Sequence, residues 1–72
     1  MPSFSDRLKE LRNSRGLTQK QMGAILGCTD RYYQKIEYGK IKFSQDNLIK
    51  LADYFDVSID YLVGRTDNPK RL

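Results

Sequence analysis

Between Asp30 and Tyr38 the chain reads DRYYQKIEY. At about 100° per residue on a helix, Arg31, Gln34, Lys35 and Tyr38 gather on one side, opposite Tyr33 and Ile36. Asp30 and Tyr32 fall on the flanks, and Glu37 lies near the apolar edge. The polar side offers a guanidinium, an amide and an ammonium. Such groups hydrogen-bond base edges in the major groove of a duplex; a merely solvated helix face has the same composition. Asp30 repels phosphate, yet a carboxylate accepts from cytosine N4, so the acid favours a base edge over a backbone contact. It also complements the positive end of the helix dipole, and it stands beside Arg31, whose pose it could hold.

Other chemistries find little support. The chain has no histidine and one cysteine, which excludes the usual zinc spacings. It has no glycine-rich phosphate loop and no nucleophile–base pair, so neither an enzyme nor a cofactor is expected. Asp53, Asp56 and Asp60 span a helix end, a turn and a new helix, without the loop of an oxygen cage. Asp60 is better explained by a helix dipole, and no metal is expected. Residues 1–42 hold nine Lys/Arg against four Asp/Glu, residues 43–64 one against four, and residues 65–72 three against one. The basic excess thus belongs to the front and the tail, which suits nucleic acid, a polyanionic surface or plain solubility. No apolar stretch approaches the ~20 residues of a membrane span. The start of the chain is polar, unlike a signal peptide. With a lone thiol, a reducing cytoplasm is the expected setting.

These residues need helices to hold them. One spacing occurs four times: an apolar residue, then Ser or Thr, then an apolar residue four positions after the hydroxyl. Leu17-Thr18…Met22, Cys28-Thr29…Tyr33, Phe43-Ser44…Leu48 and Val57-Ser58…Leu62 each read as an N-cap with a hydrophobic staple. Thr18 with Gln21 completes a capping box, and Ser3 with Asp6 is a weaker fifth start. Gly16, Gly39 and Gly64 suit left-handed helix stops. The spacing predicts five helices, about 4–14, 18–26, 30–37, 45–55 and 59–63, and no strand. Phe4, Leu8, Leu11, Met22, Ile25, Leu26, Tyr33, Ile36, Leu48, Leu51, Ala52, Phe55, Val57 and Leu62 are the expected core. The link through Gly27 and Cys28 is so short that the second and third helices must cross steeply, a helix-turn-helix. Gly23 lies where their backbones come closest. Residues 1–66 form one small domain, and the polar, proline-broken residues 67–72 are expected to be a mobile tail.

The segments LKELRNSRGLTQKQMGAILGCT, YQKIEYGK and LIKLADYFDVSIDYLVGRTD together resemble the phage-repressor type of helix-turn-helix domain. This is the Cro-like, xenobiotic-response-element family of bacterial transcriptional regulators, and the resemblance covers about residues 4–67. It implies an all-α, compact five-helix repressor-like DNA-binding domain with the third helix in the major groove. It implies base contacts from Asp30, Arg31 and Lys35, with Tyr32 and Gln34 as additions. It implies phosphate contacts from Gln19, Thr29, Lys40 and Lys42, and a buried ion pair between Arg12 and Glu37 that orients the third helix. Tyr32 and Tyr38 are bulky for such sites; Tyr38 is assigned to phosphate, with sugar, a thymine methyl or the core edge as alternatives. Cys28 stands where valine is commoner, and Ala24 and Ile25 make the second helix more apolar than usual.

A small repressor of this kind is expected to bind double-stranded DNA at a palindromic operator. One recognition helix reads few bases, so a homodimer at least on DNA is expected, with its contact at Ile59, Tyr61 and Val63 in the acidic half. The alternative is a protein-interaction or antitoxin-like adaptor on the same fold, with Ile25 and the exposed tyrosines as anchors.

Overall fold

The computed structural model describes residues 3–41 and 44–71. Phe43 of the third staple and Lys42 of the basic loop lie outside the described residues. Five helices follow one another: α1 (Phe4–Ser14), α2 (Gln19–Leu26), α3 (Asp30–Glu37), α4 (Gln45–Phe55) and α5 (Ile59–Leu62). There is no strand among the described residues. The boundaries match the expected ones to within a residue at each end.

Each helix starts on a hydroxyl. Ser3, Thr18, Thr29, Ser44 and Ser58 sit in extended backbone and accept from the N–H three residues on. Such a cap is worth about 1 kcal/mol against alanine. Thr18 and Gln21 form a full capping box, and so do Ser3 and Asp6, so the fifth start is as well made as the others. Of the staple residues, Met22, Tyr33, Val57 and Leu62 are buried, while Leu17 and Cys28 are half-buried against the same core. One stop was not legible. α4 ends on Asp56, which takes the left-handed conformation at φ 56°; aspartate is among the few residues with a side chain that tolerate it.

The core runs between all five helices. Leu8, Met22, Tyr33, Ile36, Leu51, Phe55 and Leu62 are fully enclosed, and Phe4, Leu11, Ile25 and Leu48 pack on its margin. Two arginines join it. Arg15 donates to the Phe55 carbonyl at 3.0 Å and lies over the Phe55 ring, closing the C-terminal end of α4. Arg7, which the helical pattern leaves on the surface, is buried with its guanidinium 3.9 Å from the centre of the Tyr61 ring. Burial disfavours its charge, but the neighbouring Tyr61 and Asp67 side chains outweigh that and raise its pKa.

Residues 67–71, set apart in the sequence as a mobile tail, lie fastened to the domain. Arg7 pairs with Asp67 at 3.1 Å. The Ser58 N–H donates to the Pro69 carbonyl at 3.0 Å. Arg71 pairs with Asp53 and Asp56 and reaches the Ala52 carbonyl. The acids at the end of α4 therefore have a basic partner from the tail, a relation that linear charge counting does not reveal.

The close approach of α2 and α3 depends on two glycines. Gly27 takes φ 74° and caps α2. The Cys28 N–H then donates to the Gly23 carbonyl at 2.8 Å. A Cβ on Gly23 would stand 2.8 Å from the Cys28 carbonyl oxygen and 3.0 Å from the Thr29 backbone, both of them main-chain atoms that cannot swing aside. Gly23→Ala should therefore destabilise the fold, by about 1–3 kcal/mol, the usual cost of overpacking. The higher helix propensity of alanine offsets about 1 kcal/mol of that strain. A lowered urea midpoint is the expected result; an unchanged or raised midpoint would show that the turn has slack.

Candidate nucleic-acid interface

The outward side of α3 carries Asp30, Arg31, Gln34 and Lys35, all exposed, together with Tyr32 at 47% and Tyr38 at 60%. Tyr33, Ile36 and Glu37 are buried. Thr29 begins the helix, accepting from the Tyr32 N–H at 3.1 Å. The Asp30 carboxylate accepts from the Arg31 N–H at 2.9 Å. Its described bond is thus to the free backbone donor at the helix start, as the dipole favours, and not to the Arg31 guanidinium. Lys40 is exposed just beyond the Gly39 turn. Lys42 is outside the described residues.

The inward side of α3 is held by a polar cluster around Glu37, whose side chain is 1% exposed. Arg12 Nε donates to Glu37 Oε1 at 2.7 Å, and Arg12 Nη1 donates to the Leu17 carbonyl at 2.9 Å. Gln19 Nε2 donates to Glu37 Oε2 at 2.7 Å. The Tyr33 hydroxyl donates to Glu37 Oε1 at 3.3 Å. One carboxylate therefore ties α1, the first residue of α2 and α3 together. The Glu37 bond and charge raise the pKa of Arg12. Burial, then the Glu37 charge, pushes the Tyr33 hydroxyl well above its ordinary value, so it remains a donor at neutral pH.

Gln19 is half-buried, and its amide does more than border the helix. Gln34 Nε2 donates to Gln19 Oε1 at 2.8 Å. Neither this link nor the Tyr33 hydroxyl bond was among the expected contacts. The second could have been found: Tyr33 and Glu37 are four residues apart on one helix face, and a buried tyrosine needs a partner for its hydroxyl. The first could not, because it joins residues fifteen positions apart across a turn whose angle the sequence does not state.

The residues expected at a dimer contact separate. Ile59 is 44% exposed, whereas Tyr61 and Val63 are half-buried, with the Tyr61 ring turned under Arg7. Ile49, absent from the expected set, is 41% exposed and joins Ile59 along a groove of about 320 Å³ between α4, α5 and Arg71. Among the described residues no group of His, Cys, Asp and Glu could hold a metal ion, and no helix is long and apolar enough to cross a membrane.

Residues 8–62 match the helix-turn-helix family HTH_3. The chain belongs to that family. Its helix-turn-helix regulators are a DNA-binding class and not enzymes, and this chain is of their Cro-like, XRE type. It is similar to the HTH-type transcriptional regulator YobD of Bacillus subtilis, at 36% identity over 66 residues that cover 92% of this chain and 59% of the relative. It is also similar to the cryptic phage CTXphi transcriptional repressor RstR of Vibrio cholerae, at 38% identity covering 96% of this chain and 63% of that one. A crystal structure of a transcriptional regulator from Listeria innocua superposes with a TM-score of 0.82 at 35% identity, covering 86% of this chain and 58% of that chain. The chain thus spans about three fifths of the length of these relatives.

The cluster behind α3 makes a stability prediction. Arg12→Met strands the Glu37 charge and should cost about 3–5 kcal/mol. Adding Glu37→Leu to Arg12→Met should recover part of that loss, because no buried charge is then left unpaired. Urea unfolding of the two proteins would decide the matter, and a double variant less stable than Arg12→Met would contradict it.

Proposed function

We propose that this chain is a small bacterial or phage transcriptional regulator of the repressor kind that binds double-stranded DNA sequence-specifically, with α3 in the major groove. The observation that carries this reading is the division of α3 into two sides. Its inward side is locked by the Glu37 cluster. Its outward side carries Asp30, Arg31, Gln34 and Lys35 in the open. A rigid helix with exposed planar donors and acceptors is what direct readout of base edges needs. The similarity to the phage repressor RstR supports repression.

In this reading residues 1–66 are the DNA-binding domain and the setting is the cytoplasm. Asp30, Arg31 and Lys35 read bases, with Gln34 and Tyr32 beside them. Gln19, Thr29, Tyr38, Lys40 and Lys42 meet phosphate. Arg12 and Glu37 orient the helix. The operator is palindromic and is bound by two copies of the chain. Exposed Ile59, with Ile49 across the groove, offers apolar surface on the acidic half, away from phosphate. The adaptor reading is weakened because Ile25, one of its anchors, packs half-buried against the core.

Two substitutions separate reading from anchoring. Arg31→Ala should cost about 1–3 kcal/mol and relax preference at one base pair. Lys40→Ala should weaken binding to every duplex alike and reduce the salt slope by about 1. Titrations against operator variants at several salt concentrations measure both, and identical behaviour of the two would refute the division. A flat salt response of the wild-type chain would refute DNA binding itself. Light scattering on a palindromic duplex should find two chains per duplex, and Ile59→Asp should reduce that to one; a monomer of the wild-type chain on that duplex would overturn the dimer.

A further inference from the structure

The tail brings a cation to a face that is otherwise acidic and apolar. Ile49 and Asp53 from α4, Ile59 and Asp60 from α5, and Arg71 line the groove of about 320 Å³. Arg71 is held there by three groups: Asp53, Asp56 at 3.5 Å and the Ala52 carbonyl at 3.5 Å. Exposed ion pairs of this kind add little to stability. Their effect here is to fix one guanidinium at the groove, so that its ordering entropy is lost before any partner arrives. The Arg71 side chain is still 43% exposed. Asp60, on the same lining, forms no ion pair among the described residues. Lys70 shares an adjoining hollow with Asp60 without closing to a pair. The face therefore carries two exposed isoleucines, one fixed cation and one unpaired acid.

We infer that this groove is where two copies of the chain meet about a two-fold axis, and that Arg71 of each copy pairs with Asp60 of the other. This rests on the proposed binding of DNA by two copies and specifies how they recognise one another. In a two-fold contact the same patch serves both partners, so residue i meets j and j meets i. A patch of one charge sign repels its own copy, whereas a patch holding both signs beside apolar surface complements it. Without Arg71, the face would set Asp53, Asp56 and Asp60 against the same three carboxylates of the second copy. With it, Asp53 and Asp56 are neutralised within the chain, and Asp60 is matched across the axis. A guanidinium carries five N–H donors, enough to serve Asp60 of the other copy while keeping Asp53. Other occupants fit less well. A basic peptide would suit Asp60 but meet Arg71 with like charge, and an acidic one would face the three aspartates. The tail thus supplies the residue that makes the acidic half self-complementary.

A charge swap between copies tests the inference. Asp60→Lys and Arg71→Glu are made in separate chains and mixed on a palindromic duplex, and native mass spectrometry counts the two-chain complexes of each composition. Either variant paired with itself sets like charges together at both contacts. In the mixed pair both contacts join opposite charges. The square of the mixed population, divided by the product of the two unmixed ones, should exceed the value for random pairing by about tenfold or more. Any change that one chain's charge makes to DNA affinity cancels from that ratio. Only chains folded enough to bind duplex are counted, and the Arg7–Asp67 pair and the Ser58–Pro69 bond keep the tail fastened in both variants. A ratio at the random value would overturn the inference while leaving DNA binding by two copies intact. Enrichment with Lys70→Glu, and not with Arg71→Glu, would overturn the assignment to Arg71. Two chains per duplex in Ile49→Asp, as in the wild type, would show that the groove serves another partner, and the inference would fail. Wild-type chain bound to that duplex as a single copy would overturn the dimer reading itself, and this inference with it.

Discussion

Glu37 lies in the interior with its side chain 1% exposed, where an ionised carboxylate persists only if its lone pairs are filled. Arg12, Gln19 and Tyr33 fill them. The cost of dehydrating two charges offsets much of the attraction between them, so the pair is a weak source of net stability. Its effect is on geometry. The three donors come from the last turn of α1, the start of α2 and the body of α3, and each bond has a narrow range of distance and angle. A rotation of α3 about its axis would strand the carboxylate. The same constraint faces Arg31, Gln34 and Lys35 outward.

The angle between α2 and α3 has a second, steric origin. Gly23 has backbone from Cys28 and Thr29 where a side chain would be, and the Cys28 N–H bonds back to the Gly23 carbonyl. Thr29 then restarts the helix within two residues of the Gly27 stop. Close approach, left-handed stop and capped restart together leave the chain little freedom in how α3 leaves α2. The buried carboxylate holds the rotation of α3, and the glycine-lined crossing holds its inclination.

The opposite half of the molecule is organised by arginines serving acids and carbonyls. Arg15 reaches the end of α4, Arg71 pairs with Asp53 and Asp56, and Arg7 bridges the Tyr61 ring and Asp67. The acidic run in residues 43–64 is thereby partly neutralised at the surface where α4 and α5 meet the tail. Tyr61 is drawn inward by Arg7, and Ile59 and Ile49 are left as the exposed aliphatic pair beside the groove.

The helices were legible in the sequence because their signals are local. A hydroxyl cap, an apolar residue four positions on and a terminal glycine act over a single turn; four of the five starts follow the cap-and-apolar spacing, and the fifth follows from the Ser3–Asp6 capping box. The sides of α3 were legible as well, since helical periodicity alone separates Tyr33 and Ile36 from Arg31, Gln34 and Lys35. The sequence by itself thus determined which helices form and which residues α3 turns outward. Only the tertiary structure decided what those residues are tied to: Gln19 on both Glu37 and Gln34, Arg7 beneath the surface, Asp56 as a helix stop, and residues 67–71 fastened to α1, α4 and α5. Those contacts join residues far apart in the chain, and whether two such side chains meet depends on the angles at which helices cross, to which local periodicity is blind.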